Sequence, residues 1–220
     1  MFNFDPGVAQ EQFSEQGFVH LRNVLTPAFL EQLSGFYQRC LAEQTNEQDA
    51  WKIYGKKRQY LFDFPSRDDA EEFRRAMATL TGIAHEDFTV SERHLKVYDA
   101  AAEPWPAPHK DRAASEISIG LPVHIPEGSS ACVFPDLQFG PNPEEKAVFL
   151  TDRDHPDLEN VYRKEECVML GEQPGDIVAF LGSSVFHERV NPAGAAILYI
   201  KVNGTGRDPL GENIYAAETA

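Results

Sequence analysis

Pro108-His109-Lys110-Asp111 carries a histidine and an aspartate two positions apart. On a strand both side chains point to one side, because side chains alternate across the backbone. Another histidine, His187, lies far downstream, after Gly175-Asp176-Ile177-Val178-Ala179-Phe180-Leu181 and before the strand-like run Ala196 to Val202. Two imidazoles and a carboxylate are the ligand set of a facial triad, which holds Fe(II) on one octahedral face and leaves positions open for oxygen and a co-substrate. One segment supplies His109 and Asp111. A facing strand is expected to supply His187.

A His-x-Asp pair alone is a common accident, with a surface histidine and a capping aspartate as its ordinary explanation. Here it follows a Pro/Trp-rich loop, Ala100 to Pro108, and precedes the alternating run Ile117 to Ile125. That context favours a metal site. His20 and His124 sit on strands with no carboxylate two positions away, and His85 and His155 lie in charged loops. His94 falls with Lys96 and Tyr98 on one face of a strand predicted over 93–98. His94 and Tyr98 are therefore candidate substrate contacts.

The elements that must position these groups change character along the chain. A short helix is predicted from Ala9 to Gln16, stopped by Gly17, and then a strand, Phe18 to Leu21. Thr26 caps a helix over 27–43 with Pro27 in its first turn. Phe29, Leu33, Phe36, Cys40 and Leu41 form its apolar stripe, spaced to pack on a sheet. Residues 45–49 read as a polar loop. Trp51 to Phe64 mixes aromatic and basic residues, as an anion-binding patch or as an exposed basic loop over aromatic packing. Ser66, with Asp69 three residues on, caps another helix that buries Phe73, Met77 and Leu80 and ends at Gly82.

Beyond Gly82 short strands are predicted at about 117–125, 131–134, 147–150, 166–170, 177–181 and 196–202, punctuated by Gly, Pro, Asn and Asp. That pattern predicts an α+β, mainly β chain: a sandwich or open barrel rather than a parallel sheet. Helices occupy about 1–82 and strands about 83–220, in one domain over 1–220. The charged segment 151–165 has the length of a lid or binding loop.

Composition limits the partners. The 220 residues are 42% apolar and 25% charged, with a formal net charge of −15. A chain this acidic is repelled by nucleic acid and anionic lipid. No apolar run approaches the roughly 20 residues that span a bilayer. Cys40, Cys132 and Cys167 are odd in number and widely spaced, so neither a disulfide framework nor a structural zinc site is expected. The start lacks the basic-then-apolar signature of a secretory signal, and a reducing cytoplasm is the expected compartment. Without a Gly-x-Ser-x-Gly elbow, or a motif around any cysteine, a serine or cysteine hydrolase is not expected. The pattern says nothing about oligomeric state.

The opening Phe13-Ser14-Glu15-Gln16-Gly17-Phe18-Val19-His20-Leu21-Arg22-Asn23-Val24-Leu25-Thr26, with His109-x-Asp111 and Gly175-Asp176…His187…Asn191, resembles the phytanoyl-CoA dioxygenase family. These are Fe(II)/2-oxoglutarate-dependent oxygenases. The resemblance runs over nearly the whole chain. It implies a double-stranded β-helix (a cupin-like jelly roll) with the N-terminal helices packed on one sheet. It also implies His109, Asp111 and His187 as iron ligands, with 2-oxoglutarate as co-substrate and O2 as oxidant. A small-molecule substrate would be hydroxylated at a C–H bond. The presence of Asp111 points to oxygenation rather than halogenation, which needs a small residue at that position.

One departure stands out. The family carries an arginine soon after the distal histidine, for the far carboxylate of 2-oxoglutarate. Here the stretch is Ala195-Ala196-Ile197-Leu198. A carboxylate inside an apolar barrel needs a cation. Lys96 and Lys201 are the first candidates, with Arg189 and Arg58 behind them. If none serves, a cupin-type metalloenzyme without 2-oxoglutarate or a non-catalytic jelly-roll binding protein is the alternative.

Overall fold

Two caps set the helices that back the sheet. In the computed structural model, which describes residues 1–42, 51–53, 57–102, 108–137, 140–150 and 167–216, Ser66 accepts from the Asp69 N–H at the start of α3 (Arg67–Thr81). Gly82 ends that helix at φ 73°, a left-handed turn that glycine adopts without penalty. The same device at Gly17, φ 75°, ends α1 (Gln10–Gln16). A 3-10 turn over Pro6–Ala9 precedes it. Thr26 Oγ1 accepts from the Phe29 N–H at the head of α2 (Pro27–Ala42).

The strands form two antiparallel sheets. The larger runs in the order β1 (Phe18–Leu21), β10 (Ile177–Phe180), β6 (Ile117–His124), β12 (Ala196–Asn203), β4 (Thr89–Tyr98), β3 (Lys57–Leu61), β2 (Trp51–Ile53). The smaller runs β8 (Val148–Phe149), β5 (His109–Lys110), β11 (Phe186–Val190), β7 (Ser130–Phe134), β9 (Val168–Met169). This is the double-stranded β-helix expected above.

Period-two alternation sorts the large sheet into two faces. Leu95 and Val97 of β4, Ile119 and Leu121 of β6, and Leu198 and Ile200 of β12 meet Phe29 and Leu33 of α2 and Phe73, Met77 and Leu80 of α3 in one core. The opposite face looks at the small sheet, where Ala131, Val133, Val178, Phe180 and Val185 pack. Pro122 sits in central β6, where its missing N–H would break a ladder. The register with β12 shifts between Ala196 and Ile197, opposite Pro122, and absorbs that loss as a bulge does.

Several expectations change. Strands β2 and β3 occupy a stretch read as patch or loop, and β5 and β11 give bounds to strands that the sequence implied at His109 and His187 without delimiting them. Cys132 and Cys167 are paired as a disulfide with Cα atoms 6.2 Å apart, against the expectation of none. The antiparallel β7–β9 pairing sets Cys132 opposite Met169, which brings Cys167 within reach across 35 residues of sequence. The cysteine pattern therefore gives no support to a reducing compartment. Among the described residues no helix is long and apolar enough to cross a membrane. The loop at 45–49 and the segment 151–165 lie outside the described residues. So do most of the Pro/Trp-rich loop and the side chains of Trp51 to Lys56.

Candidate metal centre

The site is built by strand pairing. His109 on β5 is the direct cross-strand partner of His187 on β11, and directly opposed residues project to one side. The third group thus comes from a neighbouring strand of the same sheet, not from a facing strand as the sequence suggested. Asp111 follows β5, its N–H donating to the Gly182 carbonyl at 2.8 Å. Its own carbonyl accepts from the Asn142 side chain at 2.8 Å.

The donor atoms of His109, Asp111 and His187 all lie within 4.8 Å of one another. His109 Nε2 is 3.9 Å from Asp111 Oδ1, and His187 Nε2 is 3.6 Å from Asp111 Oδ2. The imidazole centroids are 4.4 Å apart. His187 Nδ1 donates to the Val185 carbonyl at 3.0 Å. This bond fixes the tautomer and leaves the Nε2 lone pair facing the cluster, as metal-ligating histidines are held. Burial, together with the neighbouring imidazole of His187, holds His109 well below the usual histidine range. Burial also lowers His187. Neutral rings are the form a metal requires. Burial alone would raise Asp111, but the ammonium of Lys201 outweighs it and holds the carboxyl below the usual range. Two neutral imidazoles and one ionised carboxylate, converging in a buried site, fit a first-row divalent ion.

Two small residues make room for the carboxylate. The Ser118 hydroxyl donates to Asp111 Oδ2 at 2.6 Å. A Cβ on Gly182 would lie 2.7 Å from both that oxygen and Ser118 Oγ, so any larger residue there displaces Asp111. A Cβ on Gly120 would lie 2.9 Å from Val178 Cγ2 and 3.1 Å from Tyr199 Cε1. Gly120 therefore lets the Tyr199 ring lie across β6.

The triad opens on a cavity of about 40 Å3 whose lining includes Lys57, Lys96, Tyr98, Arg189, Tyr199 and Lys201. Lys201 Nζ contacts Asp111 Oδ1 at 2.6 Å. Lys96 Nζ pairs with Glu92 Oε1 at 3.0 Å and lies 5.2 Å from the Tyr199 ring centre. Burial opposes its charge, but Glu92 and Asp111 overcome that and raise it. Arg189 is paired with Glu172, whose carboxylate also accepts from the Ala131 N–H, and donates to Tyr199 Oη at 3.3 Å. Tyr98 is pushed by burial to about 12 and stays a phenol. Lys57 sits 5.6 Å from the Tyr98 ring centre and is lowered well below the usual lysine range by burial and by Lys96.

Of the residues singled out in the sequence, His109, Asp111, His187, Lys96, Tyr98, Lys201 and Arg189 line this one cavity. His94 shares their strand face but pairs with Glu212 at 3.0 Å and does not line it. Arg58 stands opposite Val97 in register, on the side of β3 away from Lys57. His20 is bonded to Asp176 at 2.8 Å, and Asp176 also accepts from the Asn23 and Gln173 N–H groups. That aspartate ties β1 to the turn before β10. Sequence reasoning held Lys57 only as part of a basic stretch and missed Ser118, Glu172, Gly182 and Tyr199. For Ser118 and Tyr199 strand alternation carried a signal; for Glu172 and Gly182 none existed, because their partners lie on distant segments.

The sequence matches no known family model and no curated protein. Solved structures share its fold. The non-haem α-ketoglutarate-dependent carbocyclase SnoK of nogalamycin biosynthesis superposes with a TM-score of 0.60 at 15% identity, over 88% of this chain and 83% of that one. A Pseudomonas putida prolyl-4-hydroxylase gives 0.56 at 16%, over 90% and 98%. HygX from Streptomyces hygroscopicus, with nickel, 2-oxoglutarate and hygromycin B bound, gives 0.60 at 11%, over 88% and 85%.

Proposed function

We propose that this chain is one domain over 1–220 that acts as an Fe(II)/2-oxoglutarate-dependent oxygenase on a C–H bond of a small molecule. The observation that carries the reading is the convergence of His109, Asp111 and His187 inside a cavity also lined by cations. Neighbours of the same fold that hold a metal and 2-oxoglutarate support it. The resemblance of the opening segment and triad spacing to the phytanoyl-CoA dioxygenase family is part of the same proposal.

In this reading His109, Asp111 and His187 hold the ion. The chemistry supplied by bound Fe(II) is activation of O2 with 2-oxoglutarate as reductant, so that R–H, O2 and 2-oxoglutarate give R–OH, succinate and CO2. The chain's own residues orient and protect. Val185 fixes the His187 ring, Ser118 holds one oxygen of Asp111, and Phe180, 4.5 Å from the His187 ring centre, keeps water from that side. Lys96 and Lys201 on the large sheet's inner face would meet the far carboxylate of 2-oxoglutarate, and Tyr98 would offer it a phenolic hydrogen. Hydroxylation is the outcome proposed, since Asp111 keeps its carboxylate; carbocyclisation and epimerisation are known on this fold.

Anaerobic loading with Fe(II) and 2-oxoglutarate tests the reading. The visible charge-transfer absorption of the chelate should appear and vanish in His109→Ala. Oxygen should then give succinate in step with consumed 2-oxoglutarate. A chain that binds iron at His109 but consumes no 2-oxoglutarate and forms no succinate returns the second reading, a cupin-type metalloenzyme without that co-substrate. That alternative draws on the cation-free stretch Ala195 to Leu198 and on the neutralisation of Arg189 by Glu172.

A further inference from the structure

The carboxylate that would hold a metal ion already holds a cation. Lys201 Nζ lies 2.6 Å from Asp111 Oδ1, and the two side chains are only 9% and 7% exposed. That oxygen is also the one nearer His109 Nε2, while Oδ2 is engaged by Ser118. Two other cations that line the cavity differ. Arg189 has Glu172 and Lys96 has Glu92, acids outside the triad. The second acid near Lys201 is Glu92, 3.9 Å away and shared with Lys96.

An ion taken up by Asp111 competes with this ammonium for the same oxygen and repels it at short range. The displaced charge is then left in a buried cavity with Glu92, which Lys96 already holds, and needs a further partner. A lysine suits such a shift, being a point charge on a flexible stem. The backbone beneath it is irregular: the β12–β4 register shifts between Lys201 and Val202, and Ser91 is left over on the partner strand.

We propose that Lys201 is a resident placeholder cation: it occupies Asp111 in the metal-free chain, is displaced by the metal, and then pairs with the carboxylate of the anionic co-substrate. Metal and anion therefore bind interdependently. The inference rests on the metal-centre reading above and adds to it an order of exchange. By linkage the coupling is reciprocal, so the anion strengthens metal binding by the factor with which metal strengthens anion binding.

Mn(II) titrations of the full chain, with and without 2-oxoglutarate, test it in wild type, Lys201→Met, Lys201→Gln and His109→Ala. Both Lys201 variants should bind Mn(II) alone about tenfold more tightly than wild type, and 2-oxoglutarate should strengthen their metal binding about tenfold less. A side chain that merely supported the fold would move the first value the other way. Lys201→Gln can still donate to Asp111, which guards against misfolding. On wild type alone, succinate, which lacks a keto oxygen for chelation, should also tighten Mn(II) binding. Equal or weaker Mn(II) affinity in the Lys201 variants, or no effect of succinate on wild type, overturns the placeholder while leaving the metal centre standing. Mn(II) binding that is absent from wild type, or that survives His109→Ala, overturns the metal centre itself.

Discussion

On its helix side the seven-stranded sheet presents Leu95, Leu121, Leu198 and Ile200, each with no exposed surface. On the other side the same strands present Lys96, Ser118 and Lys201, at 8%, 1% and 7% exposure. Burial hardly separates the two faces; chemistry does. The helix face gains stability from every apolar contact, at roughly 25 cal/mol per Å2. The inner face desolvates Lys96, Lys201 and Asp111 and recovers that cost only through close pairing. A sheet carrying an expensive polar face back to back with an efficient apolar one divides its work: the first face binds and the second folds.

That division can be broken from either side. The largest effect is expected across the cavity that the polar face borders: Asp111→Ala or His187→Ala should weaken metal binding by more than about 100-fold, beyond what loss of an outer partner does. Metal analysis of the purified chains reads it, and a folded variant that keeps its ion sinks the assignment. The opposite cut is Leu198→Ala. It should cost about 3 kcal/mol in urea unfolding and leave metal affinity unchanged; a matching loss of metal would mean the faces are not separable.

Gly182→Ala sharpens the contrast, since its new Cβ meets the Asp111 carboxylate and not the core. Metal affinity should drop about 10- to 100-fold, as for other groups that orient a ligand, with a small change in unfolding midpoint.

The pH dependence follows from the same site. His109 and His187 are held below their unfolded value of about 6.5. Above that pH both states are neutral and the histidines contribute nothing. Below it the unfolded chain takes up protons that the folded chain refuses, so the metal-free protein should lose stability as pH falls. Urea midpoints across about pH 5 to 8 should flatten in the double alanine variant. The smallest effect concerns Glu188, which burial raises to about 7. A raised carboxyl loses stability as pH climbs from its unfolded value through its folded one. Glu188→Gln should therefore lift the thermal midpoint near pH 8 and leave it unchanged near pH 4.

The helices were legible because their signals are local: Ser66 with Asp69, Thr26 with Pro27, and glycines at 17 and 82. The strands backed by helices were legible because one side of each is apolar. Strand β11, Phe186-His187-Glu188-Arg189-Val190, was implied at His187 but not delimited. Its inward positions are His187 and Arg189, so the alternation that betrays a strand is masked by the residues that line the cavity. Strand β3 hides likewise, with Lys57 pointing into the cavity. The disulfide escaped because 35 residues separate its halves, and only the β7–β9 register brings them together.

The sequence by itself determined the donor types of the candidate metal centre, the caps of the helices and the apolar faces that build the main core, since each depends on residue identity and short spacing. Tertiary structure decided that His187 stands beside His109 in one sheet, that Gly182 clears space for Asp111, and that Arg189 meets Glu172 and Lys201 meets Asp111. Those are relations between segments far apart in the chain, fixed by strand register and by the high cost of an unpaired charge away from water.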